Sequence, residues 1–169
     1  LATGGRPREL TIPGSDLTGI HYLRSIADVD AIRAEMDTAK NMVIVGGGYI
    51  GLEVASVAIK AGINVTVVEM EDRILKRVTT PTMSEFYHNL HIERGVQIEL
   101  NTSIDGFSGD TKVSGVNCGD TTFDTDLVIV GIGILPNAEL AEAAGLEVDN
   151  GIIVDDHCRT SDPDIYAAG

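Results

Sequence analysis

Three short runs of the chain are dominated by apolar residues: "MVIV" (42–45), "NVTVV" within 64–70 and "LVIV" within 126–133. Runs of this length, rich in β-branched residues, predict strands covered on both faces, as in a parallel sheet. Between and around them the apolar residues recur at helical spacing. Val29, Ile32, Ala34 and Met36 predict a helix near 28–38, and a second helix runs from the glycines after residue 45 to about Lys60 or Ala61, with Gly62 as its stop. A β-α-β unit of about 30 residues therefore spans 41–70. Thr80 and Pro81 suit a helix N-cap and first helical position, and Gly95 ends that helix after Arg94.

"VQIEL" (96–100) predicts a further strand, and the β-prone runs broken by Gly/Asp turns over 103–123 predict an antiparallel meander. Asn137 is expected to cap a short Ala-rich helix closed by Gly145. "GIIVD" (151–155) and "DIYAAG" (164–169) are expected strands. Residues 1–24 are turn-rich and lack clean periodicity. The expected fold class is α/β: a Rossmann-like parallel sheet with helices on both faces, plus an antiparallel β-meander.

Composition leaves this picture unchanged. The 169 residues suit one domain with appended pieces, and 43% hydrophobic with 22% charged residues is ordinary for a water-soluble protein. The formal charge of -14, from 12 basic and 26 acidic residues, argues against nucleic acid and against an acidic partner docking on this piece. No apolar run approaches a membrane span and no signal peptide opens the chain, so a cytoplasmic protein is expected, with no membrane partner. Cys118 and Cys158 are far apart and form no CxxC motif, so two reduced structural thiols are expected.

The chemistry concentrates at Gly46-Gly47-Gly48-Tyr49-Ile50-Gly51. G-x-G-x-x-G alone is a weak signal. Here it follows a strand and opens a helix, and an acidic residue, Glu69, lies 18 positions after Gly51 at the end of the next strand. That is the full context of a dinucleotide fingerprint. Gly46 permits the tight turn, Gly48 lets backbone approach a pyrophosphate, and Gly51 lets helix pack on strand. The helix N-terminus offers unpaired N–H groups and partial positive charge to the phosphates. Glu69 can accept hydrogen bonds from the adenosine ribose, and its charge repels a 2′-phosphate, so NAD is expected over NADP. Arg73 is the nearest basic residue.

Other positions keep two readings. Gly131-Ile132-Gly133, at the carboxyl end of a predicted parallel strand, suits close backbone approach to a nicotinamide or a plain turn. Glu53 suits interaction with the helix dipole or polar contact to the nicotinamide end. Glu85, His88 and His91 share a helix face; a surface helix is the expectation over a metal site.

With these motifs in place, the chain resembles the FAD/NAD-linked reductases that deliver electrons to ferredoxins and rubredoxins, of the putidaredoxin reductase type. The carrying segments are "LATGGRPREL" (1–10), "YLRSIADVDAIR" (22–33), "VIVGGGYIGLEVA" (43–55), "RVTTPTMSEFYHNLH" (77–91), "LVIVGIGILPNAELAEAAGLEVDNGI" (127–152) and "TSDPDIYAAG" (160–169). The resemblance implies a stub of FAD domain and crossover at 1–24, an NAD domain at 25–147 and a returning, truncated FAD stub at 148–169. It places Gly46, Gly48, Tyr49, Ile50, Gly51, Glu53, Glu69, Gly131, Ile132 and Gly133 at the NADH site. Tyr49 and Glu53 would lie near the nicotinamide, and Thr3, Gly4 and Arg24 would contact FAD.

The implied reaction is hydride transfer from NADH to FAD, then single-electron transfer to a ferredoxin or rubredoxin docked on domains outside this chain. No catalytic residue is assigned here, because the flavin carries the chemistry, and the fragment alone is expected to be inactive. The NAD domain of a disulfide or CoA-disulfide reductase, an NADH oxidase or a nitrite reductase subunit is the alternative. A stand-alone nucleotide-binding module without redox activity is the alternative of a different class.

Overall fold

The computed structural model describes every residue from Leu1 to Gly169. In chain order the elements are β1 (Gly5–Pro7), β2 (Ile20–Tyr22), α1 (Ile26–Met36), β3 (Asn41–Val45), α2 (Tyr49–Lys60), β4 (Asn64–Val68), α3 (Pro81–Glu93) and β5 (Gln97–Glu99). They continue with β6 (Gly106–Gly109), β7 (Val113–Cys118), β8 (Thr121–Asp124), β9 (Leu127–Val130), β10 (Ile134–Pro136), α4 (Glu139–Ala143), β11 (Val148–Asp149) and β12 (Gly151–Ile152). Contacts group the chain into a larger unit, Glu9–Ile132, and a smaller one, Leu1–Arg8 with Gly133–Gly169. These boundaries differ from the expected divisions after residues 24 and 147. Strand pairing is the reason: β2 joins the sheet of the larger unit, while β1 pairs with β10 in the smaller.

The larger unit is built on a five-stranded sheet of order β2-β9-β3-β4-β5, parallel throughout. The three apolar-rich runs form its centre, and every residue of β9 is buried. Alternation divides them between two faces. Met42, Ile44, Val65, Val67, Leu127 and Ile129 pack with Ile32 of α1 and Ala55 and Ala58 of α2. Val43, Val45, Val68, Val128 and Val130 pack instead with Phe107, Val113, Val116 and Cys118 of the antiparallel sheet β6-β7-β8. The class is therefore the expected Rossmann-like α/β fold with a meander. Its faces divide differently from the expectation of helices on both sides: α1 and α2 cover one, and the meander supplies the apolar cover of the other. α3 lies beside α2, where Tyr87 packs with Leu52, Ile74 and Leu75.

Local signals set the element ends. Ser25 and Asp28 form a capping box, which starts α1 two residues before the expected position. Thr80 caps α3 with Pro81 at its start, as expected. Gly62, Gly95 and Gly145 follow their helices with φ of +84°, +93° and +78°, the left-handed stop that glycine permits. The expected cap at Asn137 is a correction. Its side chain receives the Arg6 guanidinium and donates to the carbonyl of Thr3, so Ala138 is the N-cap of α4 and there is no side-chain cap. The expected final strands shrink as well. Gly151–Ile152 pairs only with Val148–Asp149, and 164–169 holds one bridge, Tyr166 with Arg159.

Candidate functional site

β3 delivers the chain into the glycine loop at the carboxyl edge of the sheet. Gly46 has φ of +106°, and a Cβ there would sit 2.5 Å from the Gly131 carbonyl oxygen, so both conformation and space require glycine. A Cβ on Gly51 would run into the Gly46 carbonyl and lie 3.1 Å from Ile44 Cγ2, which is the close packing of helix on strand. Gly48 differs: its φ is −82°, and the nearest atom a Cβ would meet is the Gly131 oxygen at 4.0 Å. Nothing in the protein needs glycine there, and the space beside it is open. Gly48 is also the N-cap of α2, with no side-chain cap and no acidic residue in the first turn. The first amides of α2 are thus left for an anion.

Glu69 stands one residue past β4. Its Oε2 accepts the Gly47 N–H at 2.7 Å and its Oε1 accepts the Glu71 N–H at 2.9 Å. The carboxylate is therefore oriented against the loop before any ligand arrives. Two of its roughly four lone-pair positions remain open to further donors. Gly47, which no sequence argument singled out, is a fixed part of this arrangement. Its carbonyl accepts the Leu75 N–H at 2.9 Å, and a Cβ would sit 2.8 Å from Ile74 Cγ2.

Tyr49 and Ile50 are 54% and 42% exposed, so apolar surface flanks the loop uncovered. Glu53 is exposed on the second turn of α2, past the first-turn amides where the helix dipole acts most strongly. Gly131, whose N–H donates to the Val45 carbonyl at 2.8 Å, stands against Gly46 and Gly51, and Ile132 packs on the meander cluster. Gly133 opens the smaller unit with φ of +110°, and its carbonyl accepts the Arg8 N–H at 2.9 Å.

The expected flavin contacts fall in different units. Thr3 donates its hydroxyl to the Asn137 carbonyl, and the Gly4 carbonyl accepts the Asn137 N–H at 2.9 Å, so these groups brace the smaller unit. Arg24 belongs to the larger unit, where its N–H donates to Asp28 at 3.0 Å. His91 is turned toward backbone carbonyls, Nδ1 2.8 Å from Tyr87 O and Nε2 3.2 Å from Leu52 O, which ties α3 to α2; no three His, Cys, Asp or Glu side chains converge for a metal. Both cysteines are free thiols. Cys118 is buried, and burial, with the nearby Asp105 carboxylate, pushes its thiol up.

With the loop, the oriented carboxylate and the sheet edge in view, the family comparison is decisive: the model for pyridine nucleotide-disulphide oxidoreductases matches residues 1–169. The chain belongs to this family. The pyridine nucleotide in the family's name accords with the glycine loop described above. Among curated relatives, the chain is 49% identical over its whole length to putidaredoxin reductase of Pseudomonas putida and 44% to rhodocoxin reductase of Rhodococcus erythropolis. It spans 42% and 40% of those two proteins. A crystal structure of a ferredoxin reductase from Rhodopseudomonas palustris matches all of the chain at a TM-score of 0.97 and 40% identity, and the chain covers 42% of it. The water-forming NADH oxidase of Lactobacillus brevis, bound to NADH, and its engineered form, bound to NADPH, each match 99% of the chain at a TM-score of 0.91 and 29% identity, with 38% of their own length covered. No helix of the chain is long and apolar enough to cross a membrane.

Proposed function

We propose that this chain is the NADH-binding portion of an FAD-dependent reductase that passes electrons from NADH to a ferredoxin or rubredoxin. One observation carries the reading: Glu69 is hydrogen-bonded to the middle glycine of a G-x-G-x-x-G loop whose third residue faces open space. On this reading Gly48 and the amides at the start of α2 receive the pyrophosphate, and Glu69 receives the adenosine ribose. Tyr49, Ile50, Glu53, Gly131 and Ile132 flank the remainder of the dinucleotide. FAD, when bound, supplies hydride acceptance and one-electron release. This chain holds the donor. The identities of 44–49% to ferredoxin-type reductases, against 29% to the oxidase, favour an iron–sulfur or rubredoxin acceptor over dioxygen.

Titration of the purified chain with NADH and NADPH by calorimetry tests this reading. Saturable NADH binding with weaker NADPH binding is expected. Equal or preferred NADPH binding would overturn the role of Glu69, and absence of both would overturn the dinucleotide site.

A further inference from the structure

The loop between β4 and α3 carries three basic side chains within eight residues of Glu69: Arg73, Lys76 and Arg77. A cation beside the adenosine ribose would receive a 2′-phosphate well, an arginine by its fork and a lysine as a point charge. Each of these three is already engaged. Arg73 Nη1 donates to the carbonyl of Thr79 at 3.2 Å and to Ser84 Oγ, and Nη2 donates to the carbonyl of Lys76 at 3.0 Å. Ser84 is buried and donates its own hydroxyl to the Ile74 carbonyl at 2.6 Å. The guanidinium therefore stitches the loop to α3, and swinging it toward a ligand would break contacts to three acceptors.

Lys76 and Arg77 are held by carboxylates. Lys76 Nζ lies 2.8 Å from Glu71 Oε2 and 3.2 Å from Asp72 Oδ1, and Arg77 Nη2 lies 3.9 Å from Glu71 Oε1. The hydrogen bond it donates to Glu71, then that to Asp72, raises the Lys76 ammonium above its ordinary value. Glu71 is also the residue whose N–H fixes Glu69. The carboxylate facing the ribose and the carboxylate neutralising the cations thus sit on one turn. Exposed ion pairs of this kind contribute little to stability, which leaves their electrostatic effect on a neighbouring ligand as the larger consequence.

We infer that Glu71 and Asp72 are specificity-determining residues: by holding Lys76 and Arg77 in ion pairs beside Glu69 they deny a 2′-phosphate its counter-charge. The exclusion of NADPH is then the property of a loop and not of Glu69 alone. The inference rests on the dinucleotide reading above.

The test is calorimetry of the full chain with NADH and NADPH, wild type against the Glu71→Gln/Asp72→Asn double variant. The double variant should improve NADPH affinity relative to NADH by about tenfold, the scale of releasing a partly screened cation to a phosphate. Adding Lys76→Met and Arg77→Met should remove that gain. An Asp120→Asn/Asp124→Asn variant, which changes net charge equally on the meander, should leave the ratio unchanged. A double variant with the wild-type ratio would overturn the inference, as would a gain that survives loss of both cations or appears in the meander control. If the wild type binds NADH in preference and only the variants disappoint, the specificity argument alone falls. If the wild type binds neither nucleotide, the dinucleotide reading falls with it.

Discussion

Gly46, Gly48 and Gly51 occupy one loop but answer to different constraints. Gly46 and Gly51 are glycines for the protein's own sake, since a Cβ at either meets backbone. Gly48 has room in the protein, and on the proposed reading it is a glycine for a ligand's sake. The two kinds of constraint separate in experiment. Gly46→Ala should lower stability by about 2 kcal/mol or more, from the positive φ and the close Gly131 carbonyl, read as a fall in Tm. Gly48→Ala should leave Tm near the wild type and weaken NADH binding by about tenfold, roughly one lost backbone–phosphate contact. Equal losses of Tm in the two variants would contradict this division. The roles of Gly46 and Gly51 were legible in the spacing. Gly47 was not, because what constrains it, Glu69 and Ile74, arrives from 22 and 27 residues further along the chain.

At the scale of elements, side chains that receive backbone N–H groups hold the sheet and helices in register. Asp126, just before β9, accepts the N–H groups of Asn41 and Lys40, both at 2.9 Å, where β3 begins. These two hydrogen bonds, first that from Asn41, hold its carboxyl below the ordinary value of 3.8. A depressed folded value means stability that is present above the unfolded value and lost as pH falls through the folded one. Asp126→Asn should therefore cost about 1–2 kcal/mol at pH 7. Its Tm should approach the wild type's as pH falls below 3.8 and through the lower folded value, and a gap that stays constant throughout acid titration would refute the assignment.

On α1, Glu35 sits 2.7 Å from His21 of β2 and 2.7 Å from Lys112 in the turn between β6 and β7. Burial opposes its charge, yet these partners hold its carboxyl below the usual range. β2 itself was not legible. Its three residues lie in a turn-rich stretch, and only hydrogen bonding to β9 makes them a strand. Asn137 misled for a related reason: it has the residue type of a cap, but Thr3 and Arg6 claim its side chain.

For the molecule as a whole, charge bears on partners. The chain carries a formal charge of -14, so an acidic ferredoxin gains no attraction from it. With a complete reductase that contains this chain, crosslinking should place such a ferredoxin outside residues 41–145. Crosslinks concentrated within that span would overturn the expectation and point to close-range complementarity that net charge conceals.

The sequence by itself determined the β-α-β unit, the glycine fingerprint, the acidic residue at the correct distance, the meander and most helix stops. All of these are set by interactions within a few residues or by the periodicity of burial, both of which are written locally. Tertiary structure alone decided which faces of the sheet the helices and the meander cover, that β1 and β2 exist, and that Glu69 is seated on Gly47. It also decided that Arg73, Lys76 and Arg77, basic residues beside an expected ribose site, are each engaged by partners of the chain's own. Those outcomes depend on which distant groups meet, and a carboxylate or guanidinium carries no local mark of the partner it will find.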